Sequence, residues 1–161
     1  MHNCIYRITP LALPLIALLA AGGALAAEKV AMNGPDGVTV TLDAARLSAL
    51  PATEAVTSYR SSKGIETGIY KGVLLWDLLQ AEGFVDQDQK SALRHTLLAT
   101  AGDGHQVAYS IGEIAPDFGN RPIMLAYEMN GEPIADGLRM VVPGDLRGAR
   151  HIKDIVTLDY R

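Results

Sequence analysis

The stretch MVVPGDLRGARHIKDI, Met140 to Ile155, places Arg147, Arg150, His151 and Lys153 within seven residues, just past a turn at Pro143-Gly144. Gly144 and Gly148 flank Asp145-Leu146-Arg147, so the backbone is free to turn sharply and present N–H groups. Such donors beside cations suit a phosphate or another oxyanion. An arginine brings a planar fork, a lysine a point charge. The same residues also suit a solvated basic edge, where exposed charges contribute little. Residue types and spacing leave both readings open.

Other chemistries are poorly served. The histidines are His2, His95, His105 and His151; no two have the i, i+4 spacing of a helical zinc site. The one cysteine is Cys4. Neither a G-x-S-x-G elbow nor a G-x-x-x-x-G-K-[ST] loop is present. His105 and Ser110 lie an odd number of residues apart in a β-prone stretch, so they point to opposite faces and make no nucleophile–base pair. The formal net charge of −4 argues against general nucleic-acid binding and requires any anion site to be local.

The elements that must position the basic turn follow from periodicity. GVTVTLDAARLSALP opens with a short strand over Val38 to Leu42. Asp43 caps a short helix and Pro51 stops it. EAVTSYRSSKGIETGIYKG reads as a strand, an exposed loop and a second short strand. VLLWDLLQAEG is the best helix: Leu75, Leu78 and Leu79 form its apolar stripe, Trp76 packs beside it and Gly83 is the C-cap candidate. Strands follow near Thr96 to Thr100 and His105 to Ser110, separated by a turn at Gly102-Asp103-Gly104. PIMLAYEMNGEPI is a strong strand ending in Asn130-Gly131, a dipeptide that favours a type I′ turn. GLRMVVP and HIKDIVTLDY supply the last two strands. His95 sits at a strand entry with no special role. The pattern is a single α+β domain with mixed or antiparallel sheets and few helices.

Residues 1–26 do not belong to that domain. Arg7 precedes an apolar run from Leu11 to Ala21, and Ala24 to Ala26 form a small-x-small cleavage site. This is the pattern of a secretory signal peptide, leaving residues 27–161 as the mature domain. The apolar run is short for a membrane span. Cleavage removes Cys4 and so removes disulfides, thiolate ligands and cysteine nucleophiles together. Arg7 is the one charged residue lost, which takes the net charge from −4 to −5.

Several segments carry a family likeness. VTVTLDAARLSALP, YKGVLLWDLL, GDGHQVAYSIGE, MLAYEMNGEPI and LRMVVPGDLRGARHIKDI are similar, in order, to segments of one family. The chain resembles the molybdopterin-binding domain of the sulfite oxidase superfamily. The resemblance implies the α+β sulfite-oxidase fold, a mixed β-rich core with a few short helices, and a bound pyranopterin. It implies that Arg139 is a pterin-binding arginine, that His151, Ile152 and Lys153 hold the pterin and its phosphate, and that Asp103 is a further cofactor contact. Arg150 is either an anion ligand or half of a structural ion pair. Tyr59 or Tyr109 is either a stacking face for the ring or an ordinary amphipathic strand residue.

The departures from the family bear on activity. Its oxidoreductases ligate molybdenum through a cysteine at the position matched here by Arg60 and Ser61, neither of which supplies a thiolate. The larger enzymes also extend past the matching segment into a dimerisation domain and substrate-binding residues. The expected function is therefore a periplasmic pterin-binding protein and not an enzyme. It resembles small regulators that sense reduced pterins and act on the periplasmic part of a membrane cyclic-di-GMP enzyme. The expected ligand is a pterin, molybdopterin included, with no metal ligated by the protein and no nucleic-acid partner. Two alternatives stand beside it: a small molybdopterin-dependent oxidoreductase subunit, and a carrier or structural domain that kept the fold and lost the ligand.

Overall fold

The structure, a computed structural model, describes residues 29–85 and 88–161; the expected leader, residues 1–26, lies outside the described residues. Two sheets carry the fold. In the first, β1 (Val30–Asn33) pairs antiparallel with β2 (Thr39–Leu42) and parallel with the final strand, β10 (Ile155–Tyr160). Strands β5 (Thr96–Ala101) and β6 (Gln106–Ser110) complete the order β2-β1-β10-β5-β6. The second sheet is antiparallel, with β3 (Thr53–Ser61), β4 (Gly64–Leu74), β7 (Met124–Met129) and β8 (Glu132–Pro133) in that order. Strand β9 (Arg139–Val141) shares the far edge of β7 with β8. Among the described residues the α-helices are short: α1 (Ala44–Ser48), α2 (Leu75–Ala81), α3 (Gln89–Ala92) and α4 (Ile111–Ile114). The α+β class with mixed sheets is as the residue pattern implies.

Local signals account for most of these elements. The Asp43 carboxylate accepts from the Arg46 N–H at 2.8 Å and caps α1, satisfying a donor that the helix start would otherwise leave open. Leu75, Leu78 and Leu79 are buried on α2 together with Trp76. Gly83 follows the helix with φ +75°, as a C-cap glycine does. The apolar residues of α2 join Val30 and Met32 of β1, Leu97 and Ala99 of β5, Leu125 of β7 and Leu158 of β10 in one core. Each such leucine contributes roughly 1.5–3 kcal/mol by burial. Asn130 and Gly131 have φ of 55° and 82°, the two positive values that a type I′ turn requires.

Three elements differ from expectation. The loop expected after β3 is only a turn at Ser62 and Lys63: nine-residue β3 and eleven-residue β4 pair from Thr53↔Gly72 to Ser61↔Gly64. The outer face of this hairpin carries exposed Val56, Ile65 and Ile69 while Glu66 and Gly68 lie on the inner face, so the usual apolar-in alternation is partly inverted and hides the strands. Strand β1 is too short to show a period; it exists because β10 lies beside it. The last strand begins at Ile155 instead of His151. Residues Gly148–Arg150 form a 3-10 turn, and Ile152 is buried with its carbonyl accepting from the Met140 N–H at 2.8 Å.

Candidate ligand-binding site

Strands β9 and β10 belong to different sheets, and the basic stretch connects them. A cavity of about 540 Å³ lies between this connection and the tip of the β3–β4 hairpin. The hairpin contributes Tyr59, Arg60 and Ser61, the turn residues Ser62 and Lys63, and Glu66. The opposite wall is Arg147, Gly148, Ala149, His151 and Lys153. The walls are tied together where the Arg60 N–H donates to the Leu146 carbonyl at 3.0 Å and Arg60 bridges Arg147. Gly148 lets the Tyr59 ring lie against the backbone: a Cβ there would stand 2.8 Å from two ring carbons. Close approach, more than freedom to turn, is what requires glycine at this position.

His151 occupies the inner end of that wall. It is only 6% exposed and stacks on Tyr59, with ring centroids 4.0 Å apart and planes at 26°. Neither ring nitrogen has a hydrogen-bond partner among the described residues. Buried polar atoms are nearly always paired, so two open nitrogens on one cavity-lining ring mark a place for a ligand. Burial lowers the His151 pKa to about 4, which keeps the imidazole neutral near pH 7.

Among the described residues, Glu66 is the one carboxylate on the cavity wall. Its Oε2 accepts from the Tyr59 hydroxyl at 3.2 Å and lies 3.8 Å from the Lys153 ammonium. A hydrogen bond from Ser61, followed by the charge of Lys153, holds it below the usual carboxylate range against the opposing effect of burial. Burial, with the neighbouring Tyr70 hydroxyl, pushes the Tyr59 phenol up. Four cationic residues line the same cavity, Arg60, Lys63, Arg147 and Lys153, all exposed, and of these Lys153 is the one beside Glu66.

The cavity thus gathers Tyr59, Arg60, Ser61, Arg147, Gly148, His151 and Lys153 from the residues singled out in the sequence. Asp103, Arg139, Arg150 and Ile152 do not line it. Asp103 sits in the β5–β6 turn, accepting from the His105 N–H at 2.9 Å, while His105 Nε2 reaches the Ala149 carbonyl at 2.9 Å. Arg139 is buried, gripped by both oxygens of Asp136 at 3.0 and 3.1 Å, with Nη1 3.4 Å from the Tyr70 hydroxyl. Its charge is nonetheless felt at Tyr59, Glu66 and His151. Arg150 takes the ion-pair alternative: Nη2 donates to Glu113 at 2.8 Å, Nε lies 3.6 Å from Asp145, and the guanidinium covers Tyr109 at 5.3 Å. Tyr109 is buried and donates to the Arg150 carbonyl at 2.6 Å, so Tyr59 is the tyrosine that reaches the cavity. Lys63 and Glu66 escaped the sequence reading. The register Tyr59↔Glu66 and Ser61↔Gly64 places them, and that register becomes visible only once the two-residue turn is recognised.

A family model described as the oxidoreductase molybdopterin binding domain matches residues 38–161. The chain belongs to this family. Among solved structures it is similar to the sulfane dehydrogenase SoxCD from Paracoccus pantotrophus, with 20% sequence identity and a TM-score of 0.63. That match covers 82% of this chain and 37% of the other, so the chain spans little more than a third of that protein's length. No curated protein matches. Family and fold together establish the sulfite oxidase-type molybdopterin-binding domain.

The cavity suits the organic part of a molybdopterin. Four cations and the open nitrogens of His151 can meet a phosphate and a heteroaromatic ring edge, and Tyr59 supplies an aromatic wall. The lining side chains include hydroxyl, carboxylate and imidazole groups but no thiolate, and the only cysteine of the chain is Cys4. A molybdenum held by a protein thiolate does not fit this wall.

Proposed function

We propose that the protein is a periplasmic pterin-binding protein that senses its ligand and signals to the periplasmic part of a membrane enzyme. The carrying observation is the cavity between Arg60–Lys63 and Arg147–Lys153, cation-lined, with unpartnered His151 and without a thiol. The cations neutralise a phosphate or similar anion on the ligand. Tyr59 and His151 hold the ring, and the neutral imidazole gives or accepts one hydrogen bond without adding charge. The leader over residues 1–26 supports export. A contact with a protein partner is supported by the outer hairpin face and the adjoining β9–β10 connection, where Ile65 is 69% and Leu146 85% exposed. Arg60 and Arg147 line both the cavity and an outer groove of about 370 Å³ beside those residues, so ligand and partner would share two cations.

Titration of a pterin monophosphate, followed by its fluorescence, tests the binding step. Arg60→Ala and Lys153→Ala should each weaken affinity by about tenfold to a hundredfold, since a charge-assisted hydrogen bond contributes roughly 1.5–3 kcal/mol. Both side chains are exposed, so the melting temperature of the free protein should hardly move. Unchanged affinity in both variants would mean a solvated basic edge.

An oxidoreductase subunit is the second reading, favoured by the family itself. Bound molybdopterin would then supply a redox centre, and this chain's residues would hold its pterin and phosphate. Molybdenum content of the natively produced protein separates the two readings.

A further inference from the structure

We infer that Glu66 is the specificity residue of the cavity, reading the amino-bearing edge of a 2-amino-4-oxopteridine. The inference rests on the pterin reading above and deepens it. An anion site has no use for a carboxylate, yet one stands among four cations. Its place is fixed by the strand register that sets it beside Tyr59 on the inner hairpin face. Tyr59 and Lys153 both approach Oε2, and Ser61 adds a third hydrogen-bonding neighbour. These contacts fix the group's direction without exhausting it, because a carboxylate offers about four lone-pair sites.

An ionised carboxylate accepts and cannot donate. The matching ligand edge presents two adjacent donors, as the N3–H and 2-amino groups of a pterin do. A lumazine, with a carbonyl at position 2, turns one of those donors into an acceptor facing a carboxylate. The cations then meet the ligand's anionic end, and the Tyr59–His151 pair, 4.0 Å between centroids, supplies its aromatic wall. Asp103, the other carboxylate in question, is exposed in the β5–β6 turn and engaged by the His105 N–H. If Glu66 served only to neutralise Lys153, the cavity would not distinguish the two ring systems.

The test compares the monophosphates of 6-hydroxymethylpterin and 6-hydroxymethyllumazine on the purified full chain, by calorimetry or fluorescence. The wild type should prefer the pterin by about tenfold to a hundredfold, the range of one charge-assisted hydrogen bond gained or lost. Glu66→Gln keeps the shape and one acceptor, so the preference should fall towards unity while inorganic phosphate binds as well or better. Asp103→Asn should leave the preference intact. A preference that survives Glu66→Gln, or one that vanishes in Asp103→Asn, overturns the inference. Equal binding of both pteridines to the wild type overturns it while leaving the pterin site standing. Binding of neither refutes the pterin reading itself.

Discussion

His151 carries the sharpest consequence at the scale of single residues. Its folded-state pKa of about 4 lies below the ordinary 6.5 because burial penalises the imidazolium. Between those values the unfolded chain binds the proton and the folded chain does not, so stability falls as pH drops from 6.5 towards 4. The loss approaches about 3 kcal/mol once pH is below both values. Thermal melts of wild type and His151→Phe over that window should diverge, the variant lacking this part of the slope; parallel curves would contradict it. His151 should add no pH dependence to ligand affinity between about pH 5.5 and 7.5, since the free imidazole stays neutral there. Arg139 behaves differently from the other cations. Buried against Asp136 and Tyr70, it should cost roughly 1–3 kcal/mol on change to alanine, seen as a fall of about 5–10 °C in melting temperature. Sequence reasoning found Arg60, Ser61, Arg147, His151 and Lys153 because their types announce anion chemistry or match a family position. It could not separate them from Arg139 and Arg150, since pairing with Asp136 or Glu113 depends on contacts that spacing does not reveal.

The hairpin and the 3-10 turn are the elements that make the cavity, and both were only half legible. Capped and periodic pieces such as α1, α2 and the Asn130-Gly131 turn follow from local chemistry. The β3–β4 hairpin does not, because exposed Val56, Ile65 and Ile69 occupy the face where polar residues are expected. The opposing wall depends on Gly148, against which the Tyr59 ring lies. Gly148→Ala should force that ring aside at a cost of about 1–3 kcal/mol and disturb the stack on His151. Calorimetric stability and pterin affinity should fall together. A variant with unaltered affinity would show that the Tyr59–His151 pair has no part in binding.

Across the whole molecule, the site lies where one sheet hands the chain to the other. Strand β9 ends the second sheet's contribution, the basic stretch crosses the cavity wall, and β10 enters the first sheet between β1 and β5. Long-range pairing of this kind is set by the complete fold, which is why the family likeness predicted the architecture better than periodicity did. The exposed surface formed by Ile65 of the hairpin and Leu146 of the β9–β10 connection gives the signalling proposal its own consequence: an Ile65→Asp, Leu146→Asp variant should bind pterin normally yet fail to restore cellular cyclic-di-GMP levels in a strain lacking the protein. Restoration by that variant would remove this face from the account. The most direct measurement is mass spectrometry of small molecules released from natively produced protein, with molybdenum assayed on the same sample. A pterin at near one equivalent, with molybdenum far below it, is the predicted result. Molybdenum at near one equivalent, or no pterin at all, would contradict a pterin-binding protein that works without a protein-held metal.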